Sequence, residues 1–282
     1  MLFSKRNKYI PLIKTIQTES VDDELRIRLW NLLKIYYWDK FHGYTGSSSI
    51  KDSNFESYIY ICWHSFFKLA VDKIPHSFND VLEIIRKRYF DFQWYEIYDF
   101  IEFTIRYSPS SIPYLNNFPK ECNVVLKEEN SAYRIINGNF TRITDDVEIF
   151  EIEESIEQSD KYYGVKTHLK TALSYLSDRK QPDYRNSIKE SISAVESICQ
   201  IITNDKKATL GIALKKIGEM FDLHSALKSA FSNLYGYTSD KDGIRHSYLE
   251  KSNLTFNDAK YMLVTCSAFV NYLLGIIAQR NK

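Results

Sequence analysis

The sequence predicts a mainly α-helical fold: a helical N-terminal region, a small β-hairpin or three-strand connector, and a C-terminal helical bundle. Apolar residues recur at spacings of three and four over most of the chain, the signature of helices with one buried face. Glycine and proline are scarce, with 9 and 6 among 282 residues, so few segments are interrupted. The pattern changes to short apolar–polar alternation around Asn137-Gly138, a strong signal for a tight turn between strands. A chain of this length exceeds what one core usually organises. We therefore expect an N-terminal helical domain over residues 1–120, a hairpin and linking helix over 121–160, and a helical domain over 161–282.

Taken in order, the stretch TIQTESVDDELRIRLWNLLKIYYWDKF offers Thr18 and Ser20 as caps, acids at Asp22, Asp23 and Glu24, and apolar Leu25, Leu29, Leu32, Leu33 and Tyr36 at helical spacing. FHGYTGSSSIKDSN reads as a loop, because Gly43, Gly46 and the serine run favour turns. SYIYICWHSFFKLAV, FNDVLEIIRKRYF and WYEIYDFIEFTIRY suit helices parted around Pro75 and near Asp91, with Ser77 and Asn79 placed to cap the second. CNVVLKEENSAYRIINGNFTRIT, about 122 to 143, reads as a hairpin or three short strands. Helical periodicity returns in DDVEIFEIEESIEQSDKY, VKTHLKTALSYLSDR and PDYRNSIKESISAVESICQIIT. It continues over Thr209–Met220, Ser225–Leu234 and Phe256–Ala278, with a polar loop YGYTSDKDG and a cluster IRHSYLE before the last of these.

Composition narrows the function. Hydrophobic residues at 44% and charged residues at 26% describe a globular protein. Lys plus Arg, 37, nearly cancels Asp plus Glu, 36, so no global field draws the chain to nucleic acid or membrane, and RNA contact must be local. The 21 Tyr and 17 Phe offer either core or base-stacking platforms, and core is the commoner use. Cys62, Cys122, Cys199 and Cys266 stand far apart, suggesting neither disulfides nor a zinc knuckle. Cys62, His64 and His76 lack a fourth neighbouring ligand, and no metal or cofactor is expected. The start MLFSKRNKYIPLIK lacks a signal-peptide core, and no later stretch reads as long enough to span a bilayer, so a cytoplasmic protein is expected. Walker loops, a serine elbow and HExxH are absent, which disfavours nucleotide hydrolysis, esterase chemistry and zinc proteolysis.

In the helix from Tyr184, the positions Tyr184, Ile188, Ile192, Val195, Cys199 and Ile202 share one face and read as core. Arg185, Lys189 and Glu196 fall along one edge of that stripe, as an ordinary ion-paired border or as the rim of a cleft. Downstream, Arg245 and His246 follow Asp242 and Gly243 at an expected helix start, where free N–H groups and the helix dipole favour a phosphate. An imidazole can take a proton from a ribose 2′-hydroxyl while a guanidinium holds the phosphate, and these roles suffice for metal-free RNA cleavage. Neighbouring helical residues point about 100° apart, so one must bend round, or a second subunit must complete the site.

The opening FSKRNKYIPLIKTIQTESVDDELRIRLWNLL resembles the N-terminal domain of AbiJ-type abortive-infection proteins. PDYRNSIKESISAVESIC, LHSALKSAFSNLYGYTSDKDGIRHS and DAKYMLVTCSAFVNYLLG resemble the HEPN-like domain attached to it. The resemblance implies a helical bundle that homodimerises through the C-terminal domain, with a polar cleft at the seam that cuts RNA without metal, and a phage-derived trigger. It makes His246 the base and Arg245 the phosphate clamp, with Arg185, Lys189, Glu196 and Asp242 as supporting or RNA-binding groups. The usual HEPN motif separates its Arg and His by several residues, whereas Arg245 and His246 are adjacent. Arg185, or pairing across the dimer, would then supply the missing arrangement. The alternative is a non-catalytic HEPN-like module that binds nucleotide or RNA, or scaffolds a defence complex.

Overall fold

The computed structural model describes residues 15–44, 46, 48–109, 117–178, 181–221, 223–239 and 254–280. These are 71% helical, in eleven helices with one two-stranded hairpin, which makes the fold mainly α as the periodicity predicts. The chain divides into two compact units, Met1–Thr144 and Asp145–Lys282.

Unit 1 holds α1 (Asp23–Tyr36), α2 (Glu56–Ile61), α3 (Phe78–Asp91), α4 (Trp94–Tyr107), α5 (Phe118–Glu128), β1 (Arg134–Ile136) and β2 (Asn139–Thr141). The cap of α1 is Asp22 and not Thr18 or Ser20: its carboxylate accepts the Leu25 N–H at 2.8 Å. The residues before it are held extended, since Gln17 exchanges backbone bonds with Asn130 and Ala132, each at 2.9 Å. Helix α2 is shorter than its apolar run. It passes into a π-helical turn at Cys62–Phe66, and Lys68, at φ +53°, turns the chain out of the helix.

The aromatic wealth of the sequence is spent in this core. Trp38, Trp63, Tyr37, Tyr58, Tyr89, Tyr98, Phe55, Phe100 and Phe118 are essentially buried, and rings such as Tyr37 and Phe55 meet edge-on, 5.1 Å between centroids. Arg26 donates Nη1 to the carbonyls of Phe90 and Phe92, both at 2.9 Å, closing the C-terminal end of α3.

The stretch expected as strands over 122–143 is helix in its first part. Cys122, Val125 and Leu126 recur at helical spacing and are buried on one face of α5. The hairpin is confined to Arg134–Ile136 and Asn139–Thr141, in the register Ile135 opposite Phe140. Asn137 at φ +47° and Gly138 at φ +83° make its turn, the left-handed pair that matches strand twist. Asn123 acts as a surrogate edge strand: its side chain accepts the Ile135 N–H at 2.7 Å and donates to the Ile135 carbonyl at 2.8 Å.

Unit 2 holds α6 (Asp146–Gln158), α7 (Tyr163–Ser177), α8 (Tyr184–Thr203), α9 (Leu210–Met220), α10 (Ser225–Ser239) and α11 (Phe256–Arg280). Residues 121–160 are thus shared, with the hairpin in unit 1 and α6 in unit 2. Helix α8 packs against α7, α11 and α9, and α11 packs also against α6 and α7. Helix α10 extends to Ser239, past the expected end at Leu234. By length and composition α11 could cross a bilayer, contrary to the expectation that no stretch would. Here Met262, Leu263, Cys266, Val270 and Leu273 are buried, so it serves as the central helix of the bundle. Lys260 binds Glu148 at 2.7 Å, and the Asn271 amide donates to the Glu151 carbonyl at 3.0 Å, joining α11 to α6.

Candidate functional site

Helix α8 is set by its N-cap Asp183, which accepts the Asn186 N–H at 3.0 Å, and it stops at Asn204 in the left-handed region, φ +49°. Between these, Ile188, Ile192, Val195 and Cys199 of the expected stripe are buried, while Tyr184 and Ile202 at its two ends are half-buried. Arg185 and Glu196 are half-buried and Lys189 is exposed. Their spacing keeps the three within about 40° of each other around the helix, so they do form one edge of α8. Asp242, Arg245 and His246 lie outside the described residues.

The described part of unit 2 brings together a pair that sequence reading missed. His168 on α7 meets Glu190 on α8, Nδ1 to Oε2 2.6 Å. The two helices run antiparallel. The Asp183 N–H donates to the Tyr175 carbonyl at 3.2 Å, the Ser187 hydroxyl donates to the Ala172 carbonyl at 2.8 Å, and the His168–Glu190 pair continues the same register. With Glu190 ionised, Nδ1 is the donor and Nε2 is the nitrogen left for chemistry. The His168 side chain is 34% exposed and that of Glu190 20%, so the ring is fixed yet reachable. Glu190 stands roughly 100° or more round α8 from Lys189, Arg185 and Glu196, which places the dyad on the opposite rim of the same exposed face. The missed signal was the short loop after Ser177, which fixes the hairpin register and hence the meeting of residues 22 apart.

Elsewhere, the thiols are inert. Burial pushes Cys199 and Cys266 up to about 12 and raises Cys62 and Cys122 further, so none serves as a nucleophile. In unit 1, oxygens of Asp22, Glu24 and Glu129 lie within 4.8 Å of one another. Asp22 is occupied as a cap, and Glu129 binds Arg28 at 2.6 Å.

A protein of Rickettsia prowazekii (strain Madrid E), described as Uncharacterized protein RP014, is 28% identical over 119 residues. That match covers 40% of this chain and 38% of the relative, so the chain spans about two fifths of the length of the curated relative it matches. No solved structure matches. Residues 1–158, more than half of the chain, match the family model described as AbiJ N-terminal domain 4. A domain of this kind points to an abortive-infection type of function, and the chain belongs to the AbiJ N-terminal domain 4 family.

Proposed function

We propose that the protein is a cytoplasmic anti-phage abortive-infection factor whose C-terminal unit is a HEPN-like, metal-independent endoribonuclease working at a composite dimer site. The observation that carries the reading is the pairing of an AbiJ N-terminal domain with a second helical unit whose sequence resembles the HEPN-like domain found beside it. On this reading Arg245 holds the scissile phosphate and His246 takes the 2′-hydroxyl proton. Arg185 and Lys189 lie on one accessible edge of α8, suited to the RNA backbone, and Glu196 and Asp242 support the basic groups. The N-terminal unit senses a phage-derived trigger or restrains the second unit.

The second reading is a non-catalytic HEPN-like module that binds nucleotide or RNA, or scaffolds a defence complex. The adjacency of Arg245 and His246 favours it.

Both are tested by incubating the full chain and its His246→Ala variant with total bacterial RNA in EDTA, from resting and from phage-challenged cells. Fragments ending in 2′,3′-cyclic phosphate that vanish in the variant support the nuclease. RNA binding without cleavage under both conditions supports the module.

A further inference from the structure

The last helix of unit 2 is more apolar than its packing requires. Residues 261–279 of α11 carry no charged side chain, yet only 44% of its most apolar stretch is buried. One flank is taken by α6, through Lys260 to Glu148 and Asn271 to Glu151. The other is taken by α10, whose Phe231 stacks on Phe269 with 3.4 Å between ring centroids. At about 100° per residue these flanks lie on opposite sides of the helix, and Tyr261, Val264, Thr265, Ala268, Tyr272 and Gly275 fill the sector between them, away from the core. Tyr261 is 57% and Tyr272 43% exposed, and the other four are half-buried or exposed. We infer that this face pairs with the same face of a second copy of the chain, antiparallel, about a twofold axis at Ala268. The inference stands on α11 alone and does not depend on the ribonuclease reading, although that reading calls for a dimer.

The face is its own complement, which an isologous interface requires. A twofold axis at Ala268 sets position 261 against 275 and 264 against 272. Tyr261 then meets the partner's Gly275, where an added side-chain carbon finds nothing within 4 Å, so a ring has room. Tyr272 meets the partner's Val264, and Ala268 meets its own mate, where two small side chains let the helix axes approach closely. An uncharged face set against itself strands no charge on pairing.

The area fits a reversible dimer. Two half-exposed tyrosines, at about 150–250 Å² per whole side chain, and the four smaller residues supply roughly 400 Å² per copy and about 800 Å² in all, which is the range of transient pairing. A lipid surface fits less well. Helices that lie in a membrane interface present Lys or Arg along their polar border, whereas Lys260 is held by Glu148, and spanning a bilayer would pull the buried half of α11 out of the core.

The test is sedimentation velocity of the full chain from about 1 to 100 μM, the range in which weak pairing is read. We expect the wild-type chain to shift from monomer to dimer over this range. Tyr261→Asp, at an exposed position, should weaken pairing about tenfold or more with an unchanged melting midpoint. Ala268→Cys should be trapped as a covalent dimer under oxidant, because the axis brings the two substituted positions together and the four native thiols are buried. Tyr163→Cys, exposed on α7, should not be trapped. A wild-type chain that stays monomeric throughout overturns the inference, as does equal trapping at both positions. A dimer that Tyr261→Asp leaves intact, or that Ala268→Cys fails to trap, overturns it too and leaves the ribonuclease reading's dimer to another face. Co-sedimentation of the wild-type chain with phosphatidylserine vesicles, abolished in Tyr261→Asp, would overturn it in favour of a lipid surface.

Discussion

Every functional test on α8 depends on separating its chemistry from its packing, and adjacent positions provide the control. Ile188 is fully buried and Lys189 is exposed. Changing Ile188 to Ala removes three carbons from water-excluded surroundings, about 2.4 kcal/mol at roughly 0.8 kcal/mol per carbon. The cavity left in the unit 2 core raises this to about 3–4 kcal/mol. For a unit of this size each kcal/mol lowers the melting midpoint by about 3–4 °C, so the expected drop is about 9–16 °C. Lys189→Ala should move the midpoint by less than about 2 °C, since surface changes stay within roughly 0.5 kcal/mol. Circular dichroism at 222 nm on the full chain reads both. Equal drops, or a drop under about 3 °C for Ile188→Ala, would refute the burial of this stripe. In the expected case, any loss of RNA cleavage in Lys189→Ala belongs to the RNA contact and not to the fold.

Three further outcomes follow from local geometry. Asp258, at the start of α11, accepts from the Thr255 hydroxyl and then from the Thr255 N–H, which holds its carboxyl below the ordinary range. A depressed carboxylate contributes stability that is present above its unfolded value and is lost as pH falls through the folded one. Asp258→Asn should therefore lower the melting midpoint at pH 7 and make little difference at pH 2. Gly138 sits at φ +83° with Ile105 Cγ2 3.4 Å from where a Cβ would stand, so Gly138→Val should cost about 1–2 kcal/mol, measured as a shift in denaturant midpoint. The four buried thiols should react with a disulfide reagent at pH 8 only after denaturant is added, because burial disfavours the thiolate. Rapid labelling of Cys199 or Cys266 in the native chain would contradict the packing of unit 2.

The parts of this fold legible in the sequence are those governed by near neighbours. The stripe Ile188, Ile192, Val195 and Cys199 is written in a spacing of three and four, and the Asn137-Gly138 turn in two adjacent residues. What escaped depends on partners far away. Cys122–Leu126 reads equally as strand or helix, since a short apolar run fits both, and it is helix because its buried face has the rest of the unit 1 core to pack on. The shortened α2 gives way to the π-helical turn at Cys62–Phe66, and Lys68 beyond it adopts a left-handed backbone, which no composition rule anticipates. Asp22 caps α1 where Thr18 and Ser20 were expected, because Gln17 is drawn into pairing with residues 130 and 132. The His168–Glu190 dyad is of the same kind: neither residue belongs to a motif, and only the α7–α8 register makes them a pair.

The same distinction bears on where recognition resides in this protein. Thirty-eight tyrosines and phenylalanines suggest base-stacking platforms only while their positions are unknown. Once Tyr37, Tyr58, Tyr89, Tyr98, Phe55, Phe100 and Phe118 are seen buried in one core, much of that capacity is committed to holding unit 1 together. Unit 2 is built the other way. Its core is aliphatic, drawn from Leu169, Leu173, Ile188, Val195, Leu263 and Val270, and its exposed α7–α8 face carries an imidazole fixed by a carboxylate on one rim and Arg185 and Lys189 on the other. Unit 2 also keeps Tyr163, Tyr175, Tyr261 and Tyr272 exposed, so base-stacking area is available there, and stacking is sequence-tolerant. On the ribonuclease reading, discrimination then arises from how the phosphate and the 2′-hydroxyl are positioned for reaction.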